Sequence, residues 1–471
     1  MIEDEQESAW AQEQFGSAEL GDARRTARLV RMAASAARSP AGTVSAVFDD
    51  DAERQGAYDL LESPHVAAAA LERGVGEAAA RRCGQESAVF VAVDGSSLTF
   101  VDKTGERGLG AVGTYTAGAC GLKVITALAI SDGGVPIGVL RQVTWRRASQ
   151  RPTNRRSANK RPVAKKETRH WLEAVNDSAA RVAATGSRTR MTYLVDREGD
   201  SAAMLTTLVA SGQGFIVRGN WDREVTAEDG RRWKIRNLFA YRPSLGAYDL
   251  KLSSRPGRTA RTARIELGAA KVTLTLKDPT TSKVVETTLT AVRAREIGTA
   301  PRGEEPVDWL LLTTLAARSE KEARAVVTGY TFRWRIEEFH RAWKSGRCNI
   351  EDSQLRSMEA LQKWALVLAT VAVRIERLKL LSRANPDGPA TDVFSESEIH
   401  AIIILKRRTG RTIPDDLPTT AQATLWLAEL GGYTGKSSGG PPGTVTLARG
   451  LLRVRAAADA IDALMSDREK R

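Results

Sequence analysis

Histidine and cysteine are scarce in this chain. Its 471 residues include three cysteines, Cys83, Cys120 and Cys348, and four histidines, His65, His170, His340 and His400. Three scattered thiols cannot build a disulfide framework or a cysteine-type zinc site. With so little imidazole, metal chemistry falls to carboxylates, hard donors that suit magnesium or manganese. Long apolar runs are missing too. The longest, Ala365 to Val373, falls well short of the roughly 20 residues a membrane helix needs. The opening residues, Met1-Ile-Glu-Asp-Glu-Gln6, are acidic where a secretion signal is basic and then apolar. These absences predict a soluble, cytoplasmic protein without a membrane partner. Positive charge, by contrast, is abundant: 70 Lys and Arg against 57 Asp and Glu leave +13. That excess points to a polyanionic partner, with nucleic acid first. At 42% hydrophobic and 27% charged residues the composition is globular, and the length allows several domains.

The pattern along the chain divides it in three. Residues 1–75 read as helical. Asp22 is the expected N-cap of a helix in which Arg24, Arg28 and Arg31 share one face, a stripe that suits phosphates or an ordinary solvated surface. From residue 76 to 384 the pattern is α/β. Apolar strands are expected at Ala88–Val93, Leu122–Ile130, Val135–Leu140, Met191–Val195 and Phe215–Arg218, with helices at Glu167–Ala184 and Ala202–Ala210. Within it, residues 220–308 alternate with period two and read as a β-rich insertion, followed by a strand at Trp309–Thr314. The stretch Arg146–Lys166 holds nine Lys or Arg and no acid, so it is expected to order only on meeting an anion. Residues 385–471 read as helical again, after a linker at Asn385–Pro389.

Three carboxylates stand out. Asp94 and Asp196 each end an apolar strand, where α/β folds place their sites, although an Asp-Gly pair after a strand is commonly just a turn. Glu337 lies in an expected long helix with Tyr330, Arg333 and Lys344 at steps of three, four and seven, all projecting from one face. Such a stripe can bind a metal and neighbouring phosphates, or can be a salt-bridged surface. Gly435-Lys436-Ser437 mimics the end of a phosphate-binding P-loop, but the earlier glycine is replaced by Leu430 and a helical stretch precedes it, so nucleotide binding is not expected.

Tyr330-x2-Arg333-x3-Glu337-x6-Lys344 matches in full the signature of the DDE transposases of the insertion-sequence-four family. Val93-Asp94-Gly95-Ser96-Ser97 resembles that family's first catalytic segment, and Val195-Asp196-Arg197-Glu198 its second. Leu20-Gly21-Asp22-Ala23-Arg24-Arg25 and Gln55-Gly56-Ala57-Tyr58 resemble the DNA-binding region of the Tn-five type of bacterial transposase. The resemblance runs from about residue 15 to about 443, with five motifs in order.

What the resemblance implies is an RNase H-like, retroviral-integrase-like catalytic domain carrying the β-rich insertion. An N-terminal helical DNA-binding domain and a C-terminal helical dimerisation region would flank it. Asp94, Asp196 and Glu337 would be catalytic and hold two magnesium ions, with manganese able to substitute. Tyr330, Arg333 and Lys344 would bind DNA, Trp309 would stack on a base expelled during hairpin formation, and Trp334 could wedge beside it. Arg218, His340 and Arg341 resemble phosphate contacts, and Arg24, Arg25 and Arg28 belong to the end-binding helix. The implied activity is cut-and-paste transposition: binding terminal inverted repeats, cleaving through a hairpin, and joining 3′-hydroxyl ends to target DNA. A homodimer would act on double-stranded DNA at a bacterial nucleoid. The apolar spacing of Leu451–Met465 suits subunit pairing or packing within its own chain. Two other readings are a relative that binds ends without cutting them and a stand-alone nuclease of the same fold. The intact triad favours an active transposase over the first, and Trp309 with the basic helix favours it over the second.

Overall fold

The computed structural model describes residues 2–113, 118–148, 162–252, 259–279, 281–410, 413, 416–435 and 441–469. Most of the basic stretch (149–161) and residues 436–440, with the rejected P-loop mimic, lie outside the described residues.

Four helices open the chain: α1 (Ile2–Phe15), α2 (Ala23–Arg38), α3 (Asp51–Glu62) and α4 (Ala68–Cys83). Gly21 takes φ +75°, which a β-carbon resists, and this turn delivers Asp22 to the start of α2, where its side chain accepts from the Arg24 backbone N–H. Residue 75 lies inside α4, and Leu71 and Val75 share a core with α1 and α2, so the helical layer continues past it onto the sheet.

A single mixed sheet follows. Its strands are β1 (Ala88–Phe100), β2 (Gly110–Ala111), β3 (Cys120–Ser131), β4 (Pro136–Trp145), β5 (Arg190–Val195), β6 (Gly214–Arg218), β7 (Glu224–Ala227), β8 (Arg232–Lys234), β9 (Gly246–Leu252), β10 (Arg261–Lys277), β11 (Val284–Glu296) and β12 (Asp308–Thr313). β1, β5 and β6 are parallel neighbours, with β3 and then β4 antiparallel on the far side of β1. The β-rich insertion is no separate layer: β12 pairs with β6, and β11, β10, β7 and β8 extend the same sheet, with β9 along β10. The period of two decides the faces. On β1, Val89, Val91 and Val93 enter one core, shared with the helix Thr168–Ala184, while Ala92, Leu98 and Phe100 enter the other, shared with the long helix Met358–Ala384.

Two expectations fail here. β1 does not end at Asp94 but runs on to Phe100, because β3 stays paired along its whole length (Thr126 opposite Asp94, Cys120 opposite Phe100). Nor do Tyr330 to Lys344 form one helix. A helix Glu320–Thr331 stops, a second runs Trp334–Arg341, and a π-type turn Ala342–Gly346 follows. At the joint, Phe332 N–H bonds Gly329 O (3.1 Å) and Arg333 N–H bonds Tyr330 O (3.0 Å), three-residue steps that tighten and redirect the chain. Phe332 is held there, edge-on to Phe90 (5.5 Å between ring centres).

The C-terminal helices Glu396–Arg407, Thr420–Leu430 and Thr444–Glu469 have a small core of their own around Phe394, Ile402, Leu427 and Val454. The turn at Asn385–Pro389 is not a free linker, since Thr420 N–H bonds Gly388 O (2.7 Å) and Ala421 N–H bonds Pro386 O (3.0 Å). Buried ion pairs join this layer to the rest: Glu7 of α1 meets Arg374 (2.6 Å) and Arg455 (2.9 Å), and Arg455 also meets Glu398 (3.1 Å). Among the described residues, no helix is long and apolar enough to cross a membrane.

Candidate active site

The parallel register builds the site. Val93 pairs with Val195, and Val195 with Val217, so Asp94, Asp196 and Arg218 follow at the same level of three adjacent strands. Asp94 Oδ1 accepts its neighbour Gly95 N–H at 2.8 Å. Asp196 caps the short 3-10 turn Arg197–Gly199, accepting Glu198 N–H at 2.8 Å. Trp171 packs beneath both: a β-carbon at Gly95 would lie 3.4 Å from its ring, and one at Gly199 would lie 3.7 Å from it. At Gly199 it is Val195, not the indole, that requires glycine: such a carbon would lie 2.0 Å from Val195 Cγ1.

Glu337 arrives on the helix Trp334–Arg341 and pairs with Arg333, whose Nη1 lies 3.7 Å from Asp94 Oδ2. Arg333 therefore stands between two members of the carboxylate set. Burial, then the charge of Asp196, pushes the Asp94 carboxyl up to about 7 despite Arg333. Desolvation and the second carboxylate together outweigh the one neighbouring guanidinium.

The broken helix changes the expected stripe. Tyr330 (2% exposed) and Arg333 (6%) are buried, whereas the Glu337 side chain is 51% exposed. Lys344 sits in the π-type turn, 3.5 Å from Glu351. Trp309 is 8% exposed, edge-on to Tyr330 (5.4 Å) and Trp334 (6.1 Å), with the Arg218 guanidinium 5.6 Å from its ring centre. Trp334, at 39%, is the exposed member of this cluster. The Nε atoms of Arg218 and Arg333 are buried with no hydrogen-bond partner. Two unsatisfied guanidinium donors each cost about 1–3 kcal/mol, which an anion placed between them would offset.

His340 is not where a phosphate contact needs it. It is buried beside Phe339 and Trp343, and burial pushes its pKa down to about 3, so it offers no positive charge; Arg341 next to it is exposed. On α2, Arg24 is exposed and pairs with Asp22 (2.9 Å), Arg25 donates to Leu20 O (3.0 Å), and Arg28 lies so close to Gly56 that a β-carbon there would fall 1.4 Å from its Nη1. The Gly56 motif thus makes room for Arg28. One basic residue of the site was missed from sequence. Lys123 on β3 faces Ser97 of β1 and donates to its hydroxyl (2.9 Å), and burial followed by the nearby charge of Arg147 lowers its pKa. A lone lysine in an otherwise apolar strand was the available signal.

A divalent ion suits this donor set. The candidate ligands are all carboxylate oxygens, and the raised proton affinity of Asp94 is what a bound cation would relieve. Among the described residues, though, no three acidic, histidine or cysteine side chains already close around one point. Glu337 is held by Arg333.

Comparison with known families decides the class. A model described as Transposase DDE domain matches residues 116–374, more than half of the chain. The chain belongs to the DDE transposases. The match takes in Asp196 and Glu337 and begins after Asp94, which the β1–β5 register sets level with Asp196. A Transposase DNA-binding model matches residues 7–66, covering α2 and α3, and a Transposase Tn5 dimerisation domain model matches 370–465. The protein is accordingly a DNA transposase of the Tn5 type, with DNA-binding and dimerisation regions around an RNase H-like catalytic core. The order β4-β3-β1-β5-β6 is that core.

Proposed function

We propose that this transposase cuts and pastes its element. As a homodimer, it binds terminal inverted repeats, cleaves through a hairpin and joins the 3′-hydroxyl ends to target DNA. The observation that carries this reading is Arg333 set between Asp94 and Glu337, with Asp196 level with Asp94 on the adjacent strand. Asp94 and Asp196 would hold magnesium, and Glu337 would complete the set on leaving Arg333. When bound, two such ions stabilise the attacking and leaving oxygens of an in-line phosphoryl displacement. The released Arg333, with Arg218, would then hold the scissile strand through the donors now unsatisfied. Lys123 and Lys344, near enough to feel each other's charge, would add positive charge along β3 and the π-type turn. Water attacks first and a DNA 3′-hydroxyl later, and the neutral, buried His340 plays no part as a base. Hairpin formation would draw on the Trp309, Tyr330 and Trp334 cluster, which must open to admit a base.

The test uses purified protein, DNA carrying the inverted repeats that flank the gene, and a denaturing gel with and without magnesium. Magnesium-dependent nicks at the element boundary, then a hairpin band, are expected. Alanine at Asp94, Asp196 or Glu337 should abolish both products and leave end binding intact. A variant that cuts at the normal rate would refute its residue's role. Binding without any cleavage by the unaltered protein would favour an end-binding relative.

A further inference from the structure

Trp221 is 60% exposed, yet its backbone and ring are pinned. The backbone N–H groups of Asn220 and Trp221 donate to Asp200 Oδ2 (2.7 and 3.1 Å), and the indole Nε1 donates to the Asp200 carbonyl (3.0 Å). Asp200 is itself buried and held by Arg223 at 2.5 Å. These bonds satisfy the polar atom of the ring from the protein side, so most of what solvent meets is aromatic surface.

The anchor belongs to the carboxylate site. Asp196 opens the 3-10 turn that Asp200 closes, its N–H bonded to Arg197 O (3.3 Å). On the other flank, β6 ends at Arg218, level with Asp196 and three residues before Trp221. Arg197 is exposed in the same turn and Glu198 is the acid beside it, while Asp222, next to Trp221, accepts the Arg236 N–H (3.0 Å). Trp221 is thus a fixed ring on the lip of the DNA-cutting site. Trp309 must move to offer a face, and Trp221 already offers one. A pre-oriented ring loses little entropy on contact, and every base has a face that can stack on it.

We propose that Trp221 is a positioning residue that stacks on a nucleotide unstacked from the duplex next to the cleaved phosphate. This rests on the reading that Asp94, Asp196 and Glu337 cut the element ends. The experiment places 2-aminopurine, in turn, at each nucleotide flanking the cut and compares its fluorescence in complexes of the unaltered protein, Trp221→Ala and Trp221→Phe. One position should be quenched by the unaltered protein, bright with Trp221→Ala and mostly quenched again with Trp221→Phe. In single-turnover cleavage, kcat/KM should fall about tenfold for Trp221→Ala and recover largely for Trp221→Phe. Two results would overturn the proposal: identical fluorescence with the unaltered protein and Trp221→Ala, or equal losses in both variants with matching falls in melting temperature, which would make the indole bond to Asp200 purely structural. If the unaltered protein binds ends without cutting, the cleavage reading fails, and the fluorescence comparison still decides the stacking.

Discussion

Replacing Asp94 by asparagine should end cleavage and, in the absence of metal, make the protein harder to melt. The magnitude follows from the Asp94 carboxyl, which burial and Asp196 raise from 3.8 to about 7. At about 1.36 kcal/mol for each pH unit, the charged form is disfavoured in the folded state by about 4 kcal/mol. The folded protein binds this proton more tightly than the unfolded chain does. Below about pH 4 both states are therefore protonated, and stability drains away as the pH climbs towards about 7. Asparagine has nearly the same shape, keeps an oxygen for the Gly95 N–H, and carries no charge to be repelled. In chelator at pH 8, Asp94→Asn should melt several degrees above the unaltered protein, at roughly 2–4 °C per kcal/mol for a large domain. At pH 5 the gap should shrink, and magnesium should raise the melting temperature of the unaltered protein more than that of the variant. Scanning fluorimetry across pH, with chelator and with magnesium, reads all three effects. An equal or lower melting temperature for Asp94→Asn at pH 8 would refute the reasoning, as would a gap indifferent to pH.

Arg28→Ala should weaken binding to element ends and make the salt dependence shallower by about one counterion. Gly56→Ala should fold normally, because only the flexible tip of Arg28 stands in the way, yet shift end affinity by displacing that tip; unchanged affinity in both variants would take this face of α2 out of the interface. Away from the site, Glu72 of α4 accepts from Arg181 (2.9 and 2.7 Å) and the Gln142 N–H (3.0 Å), and pairs with Arg141 (2.7 Å). Burial pushes its carboxyl up, but Arg181 and Arg141 outweigh it and hold the pKa below the usual value. Its contribution is therefore complete above about pH 4.5 and lost as the pH falls through the lowered value. Glu72→Gln should cost about 3–5 kcal/mol near neutral pH and flatten the acid limb of a melting-temperature profile, and coincident profiles would show that the clamp carries no stability.

Much of the sheet was legible because alternation is a local property. Val89, Val91 and Val93 on β1, and the alternating runs of β10 and β11, announce their faces without reference to the rest of the chain. The failures are non-local. Asp94-Gly95 reads as a turn unless one knows that β3 continues alongside. The helical period runs through the joint at Phe332 and Arg333, and Gly329, which brings the chain close to Phe90 in the turn before it, reads as an ordinary helix glycine until Phe332 is seen packed on Phe90. The acidic residues and the basic N-terminal helix could be found from motif and charge alone, whereas His340 could not be excluded without its burial. Trp221 gave no signal, since its partner Asp200 lies 21 residues away in sequence.

The joint also explains how the two ends of the carboxylate set divide their tasks. Had one helix run from Glu320 to Lys344, Tyr330 and Arg333 would have shared the half-exposed setting of Glu337. The break instead sinks them against Trp309 and Arg218 and starts a new helix with Glu337 in its first turn, where the dipole favours a carboxylate. Glu337 is half exposed, but its partner Arg333 is buried, so parting them leaves a buried guanidinium that another anion must satisfy. Asp94 is fixed in mid-strand, desolvated and facing Asp196, the setting that the proposed cation would relieve. On the proposed reading, a rigid, desolvated carboxylate stands beside one whose arrival at the metal depends on a new anion, the scissile phosphate, taking its place against Arg333.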